Sequence, residues 1–166
     1  MKNIVVCLLL FLLVAAPFVG AREVVESPKR CQACGMDRTA FAHSRMLILY
    51  ADGTSVGVCS LHCAAEERQH NQEKRIGALM VADYGTKELL AAKRATWVVG
   101  GKRTGVMTAQ AKWAFARAED AQRFMAENGG RVNSFAQALN AATLEVMAQA
   151  AEERAVEQEL LREQQE

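Results

Sequence analysis

The chain has no excess charge of either sign, because 20 Lys+Arg stand against 19 Asp+Glu for a formal net charge of +1. That balance offers no basic surface to hold a phosphate backbone and no acidic surface for basic partners, so no nucleic-acid ligand is expected. A long hydrophobic run is also missing. The longest, from Ile4 to Ala16, is thirteen residues, short of the ~18–20 that a spanning helix needs. Aromatic residues make up only 6%. Disorder is excluded in turn, since 51% hydrophobic and 23% charged residues in a chain of 166 provide for one domain, or two small halves, around a modest core. Against these shortages, five cysteines and seven methionines stand out, ten of them beyond the first ten residues.

Residues 1–21 read as a secretory signal: one early cation at Lys2, the apolar run, Pro17, then short side chains at Val19 and Ala21 with cleavage expected after Ala21. Extended to Ala21 across the proline, the run just reaches spanning length, so an uncleaved N-terminal anchor is the minor alternative. The expected product is a soluble periplasmic or otherwise exported protein, with no membrane attachment after cleavage. Cleavage would leave 19 basic and 19 acidic groups on 145 residues. It would also leave Cys31, Cys34, Cys59 and Cys63 in a compartment that oxidises unprotected thiols.

Residues 22–30, charged and carrying Pro28, read as a tether. Strands are expected at 45–50 and 54–59, joined by Ala51-Asp52-Gly53, because Asp and Gly tolerate the positive φ of a hairpin turn. A helix capped by Ser60 should follow over 60–74, then a third strand over 78–84. The second half repeats the order: strand 95–99, a glycine-rich turn, an extended piece around Met107, strand 112–116, and helix 119–128 closed by Gly129 and Gly130. From 133 onward Phe135, Leu139, Ala142, Val146 and Ala150 recur at helical steps, so a C-terminal helix over 133–166 should pack its first part on the sheet. Its distal part is polar apart from Val156, Leu160 and Leu161, and either projects into solvent or pairs two chains as a homodimer.

Three clusters carry chemistry. In Cys31-Gln32-Ala33-Cys34-Gly35-Met36 two thiols can grip one metal ion or close a redox disulfide, and Gly35 lets the backbone turn Met36 back toward them. In Cys59-Ser60-Leu61-His62-Cys63 the three-and-four spacing brings Cys59, His62 and Cys63 near one helix face, at an N-terminus that favours thiolate. The third is Met107 on a glycine-flanked loop. No carboxylate occurs in these clusters, which disfavours hard cations. Thiolate with thioether suits Cu(I), and thiolate with imidazole suits zinc. Two disulfides, a structural zinc module using Cys31, Cys34, Cys59 and His62 or Cys63, and a thiol–disulfide oxidoreductase built on Cys31 and Cys34 are the competing readings. Met46, Met80, Met125 and Met147 read as core filler, as do Trp97, Trp113 and Phe115, while His43 and His70 read as non-ligands.

The pattern resembles the NosL family of copper-binding accessory proteins of nitrous oxide reductase maturation, through CQACGM at 31–36, ALMVADYGT at 78–86, ATWVVGGKRTGVM at 95–107 and FARAEDAQRFMAENGGRV at 115–132. The resemblance implies an α+β fold of two side-by-side strand-strand-helix-strand units, about 31–86 and 95–132, related to a domain of organomercurial lyases. It implies Cu(I) binding, carried over onto Cys34, Met36 and Met107, and delivery by ligand exchange to a copper-accepting enzyme or another copper-transfer protein. Ligand exchange requires no covalent chemistry, so no enzyme activity is expected. The chain departs from the family in Gly105-Val106-Met107, where Gly-Pro-Met is common, and in its Cys59–Cys63 cluster.

Overall fold

The computed structural model describes residues 25–165, so the signal expected at 1–21 lies outside the described residues. Apolar and β-branched runs on either side of the Asp52-Gly53 turn form β1 (Met46–Tyr50) and β2 (Ser55–Val58), paired antiparallel with Met46 opposite Val58 and Leu49 opposite Ser55. Gly53 sits at φ +88, and the Asp52 carboxylate accepts from the backbone N–H of Thr54 at 2.8 Å. The chain then enters α1 (Leu61–His70), crosses to β3 (Ile76–Ala82) and adds the short edge strand β4 (Leu89–Ala91). After one 3-10 turn at Ala92–Arg94 come β5 (Thr96–Val99), β6 (Lys112–Phe115), α2 (Ala118–Asn128), β7 (Arg131–Asn133) and α3 (Phe135–Glu163).

Two antiparallel sheets result, ordered β2-β1-β3-β4 and β6-β5-β7. In each, the first strand of the unit is central, flanked by the second strand and by the strand that follows the helix. The duplication expected from the sequence is therefore present in the topology itself. The units are tied by the Asp83-Tyr84 turn: the Tyr84 N–H donates to the Ala114 carbonyl at 2.8 Å, and Asp83 accepts from Gly85, Thr86 and Ala116 N–H groups at 2.9, 2.6 and 2.7 Å. Tyr84 also packs edge-on against Trp113 and Phe124, with ring centroids 5.3 and 4.9 Å away. The core runs through both sheets, with Met46, Ile48, Val58, Val81, Trp97, Val98 and Trp113 almost wholly buried. The first half of α3 covers it, packing Ala138 and Ala142 against α1 and β5.

Four expectations are corrected. The described part of the tether is not loose. Val25 is buried, and the Glu26 carboxylate pairs with the buried Arg38 guanidinium and with Arg45 Nε at 3.0 Å, because two buried cations need a carboxylate and this is the one that reaches them. Met107 lies in an irregular loop at φ +57 rather than in an extended piece. Met147 is exposed, since it falls on the outer side of α3. Finally, α1 stops at His70 rather than at Lys74, where the Asn71 N–H closes the last turn onto the Glu67 carbonyl. No helix among the described residues is long and apolar enough to cross a membrane.

Candidate metal centre

The loop carrying Cys31 and Cys34 is a tight turn held at its base by a bridge between Arg30 and Asp37. Inside it the Cys31 N–H donates to the Met36 carbonyl, and the Gly35 N–H to the Cys31 carbonyl, both at 2.8 Å. Gly35 takes φ +77, where a side chain costs roughly 1–2 kcal/mol. Two hydrogen bonds dock the loop on β2: Gln32 N–H to the Gly57 carbonyl at 3.0 Å, and Gly57 N–H to Gln32 Oε1 at 2.9 Å. Cys59 follows β2 directly, its carbonyl held by the Ser44 hydroxyl at 2.8 Å. Ser60 then caps α1, its hydroxyl accepting from the Cys63 N–H at 3.3 Å, so the cap that starts the helix also places Cys63.

All four sulfurs lie within 4.8 Å of one another. Cys34 Sγ is 3.5 Å from Cys59 Sγ, and Cys59 Sγ is 3.7 Å from Cys63 Sγ. All four are free thiols, since a disulfide would need ~2.05 Å. Cys31, Cys59 and Cys63 are buried, while Cys34 is half-buried at the rim. The neighbouring Cys59 and Cys63 thiols, by hydrogen bonding to Cys31, push its pKa below the usual thiol range. Donating to Cys31 raises Cys59 and Cys63 in turn, and burial raises both further. A tetrahedral ion with metal–sulfur bonds of ~2.3 Å would set its sulfurs about 3.8 Å apart. The four thiols therefore form a group able to hold a soft metal ion with little movement.

The remaining expected ligands fall outside this group or beside it. Met36 is half-buried and packs against the core that contains Cys31, Cys59 and Cys63. Met107 is 41% exposed on its loop. His62 is buried but turned to α3: its Nδ1 stands 3.9 Å from Glu145 Oε2 without a hydrogen-bond partner. Burial lowers the His62 pKa, with Glu145 opposing, which favours neutral imidazole. Glu145 also takes the buried Lys112 ammonium at 2.8 Å, and Lys112 Nζ donates to Thr108 Oγ1 at 3.1 Å. This network, which sequence reasoning missed, ties the Met107 loop to α3. Its one sequence signal is Glu145 sitting three residues after Ala142 on the inner side of the helix. His43 is enclosed by Tyr84 and Trp113, with centroids 5.5 and 5.4 Å away, and His70 is exposed.

Duplicated strand-strand-helix-strand units, with four clustered thiols at the junction of an N-terminal turn and a capped helix, define an α+β protein carrying a cysteine cluster that could hold a metal ion. The thioredoxin-type alternative loses its basis, because the Cys31/Cys34 pair lies in a turn ahead of antiparallel strands and not at the start of a helix. The chain belongs to the NosL family, whose model matches residues 23–143. No curated protein matches it in sequence. Among solved structures it is similar to the copper chaperone NosL from Shewanella denitrificans, with a TM-score of 0.53 and 21% identity over 68% of this chain and 91% of that one. That likeness is one of fold.

Proposed function

We propose that this protein is exported, binds Cu(I) as cargo, and stores it or passes it by ligand exchange to a copper-accepting enzyme or another copper-transfer protein. The observation that carries the reading is the group of four free thiols within 4.8 Å, three of them buried and Cys34 half-buried. Soft thiolates suit Cu(I), and Met36, half-buried against the same core, is a thioether in reach of a role beside them. An incoming soft ligand would attack on the Cys34 side, share the ion, and withdraw it without release to solvent. No covalent chemistry is involved, so the role is not enzymatic. The resemblance to the NosL family implies a client of the nitrous oxide reductase kind, and the structural neighbour is a copper chaperone. Because disulfides cannot ligate, the thiols must be loaded reduced.

The test is anaerobic titration of reduced protein with Cu(I) against a colorimetric Cu(I) chelator. At least one equivalent should be withheld from the chelator, and withholding none refutes the proposal. One observation favours a second reading: the sulfur spacing also suits a closed zinc site of four cysteines, with His62 not among its ligands. Zinc held in preference to Cu(I), and unaffected by Met36→Leu and Met107→Leu, would select that reading.

A further inference from the structure

The four sulfurs differ in what can reach them. Cys34 is half-buried at the rim, whereas Cys59 and Cys63 have no exposed surface at all, and Cys59 stands between the two, 3.5 Å from Cys34 and 3.7 Å from Cys63. Cys31, 3% exposed, lies within 4.8 Å of the other three. Cu(I) is satisfied at low coordination number, so one ion on the rim side leaves the Cys63 thiol unused behind it.

Resting on the proposed copper function, we infer that the site holds two Cu(I) ions bridged by Cys59: an outer ion on Cys34 and Cys59 that exchanges with partners, and an inner ion on Cys59 and Cys63 that is retained. Cys31 supplies the fourth thiolate. As the two ions enter, each ligating thiol that still carries its proton releases it to solvent, and no electron is transferred. The inner ion fixes Cys59 and Cys63 in place, so the rim keeps its geometry after the outer ion departs.

The experiment uses the full reduced chain under anaerobic conditions. Cu(I) is titrated while sulfur-to-copper absorbance is followed, saturation is counted by native mass spectrometry, and the loaded protein is then challenged with a water-soluble Cu(I) chelator. Two ions per chain are expected, one removed quickly and the other roughly tenfold more slowly. Cys63→Ser should bind a single, quickly removed ion, and Cys34→Ser should lose the quick phase while keeping the slow ion, with circular dichroism checking that each variant is folded. Saturation of the unsubstituted chain at one ion, or removal of both ions in a single phase, overturns the inference while leaving the copper function standing. Retention of no ion overturns both.

Discussion

Asp83 shows how a single side chain joins the two units. It is 3% exposed, and burial alone would raise its pKa, yet backbone N–H groups of Thr86, Ala116 and Gly85 converge on the carboxylate and bring it below the ordinary carboxylate value. Because the folded chain binds this proton less readily than the unfolded chain, the contribution is complete above the unfolded pKa of ~3.9 and is lost as pH falls through the folded value. Asp83→Asn keeps the shape but puts an amide where an acceptor is needed for the Ala116 N–H. It should cost about 1–3 kcal/mol at neutral pH, and urea unfolding of the variant should depend less on pH between 5 and 3 than that of the parent chain. Equal pH dependence in the two would show that Asp83 does not hold the units together. Glu26 does the same work for two buried guanidiniums, but nothing in its charged surroundings distinguishes it from a tether residue. The sequence displays a carboxylate's neighbours along the chain and not those across the fold.

At the scale of elements, α1 depends on its cap more than on its composition. Beyond Ala65 it is polar, and only Leu61–Ala65 are buried, so the helix is fixed at its N-terminal turn where Ser60 receives the Cys63 N–H. Ser60→Ala should lower stability by about 1 kcal/mol, and Ser60→Asp should restore most of it. An unchanged urea midpoint for Ser60→Ala would show that the cap contributes nothing. The same cap explains why the site was only half legible. The pairs Cys31/Cys34 and Cys59/Cys63 stand out in the sequence, and strands β1 and β2 follow from their β-branched runs and the Asp-Gly turn. The expectation that His62 joins Cys59 and Cys63 assumed that all three lie on helical spacing. Ser60 is extended, at φ −159, so Cys59 leaves the helix, while His62 and Cys63 are separated by about 100° around the axis and face different neighbours. Strands β4 and β7 were not legible, because three residues carry no periodicity and their pairing is dictated by the free edges of β3 and β5.

For the molecule as a whole, the question is whether metal holds the fold together or is held by it. In a small zinc module the thiols stand in for a core, and removing metal unfolds the chain. Here the core includes Cys31, Cys59 and Cys63 but extends far beyond them: Trp97, Trp113, Met46, Ile48, Leu61, Val58, Val81 and Val98 are almost fully buried across two sheets, and the second sheet contributes no sulfur ligand to the cluster. The thiols sit where a turn, a strand end and a helix cap meet, each held by its own backbone hydrogen bonds. The reduced, metal-free chain should therefore keep its far-ultraviolet circular dichroism and unfold cooperatively on heating. Since Cu(I) would bind only the folded state, free ion at 100 times its dissociation constant should add about 2.7 kcal/mol, which raises the melting temperature by about 5–10 °C for a chain of this size. Loss of the spectrum at 25 °C on removing metal would mean that the ion is structural, and the carrier reading would give way to the zinc one. A folded apoprotein whose melting point rises with Cu(I) is what a carrier requires, because a protein that must surrender its cargo cannot depend on it for its shape.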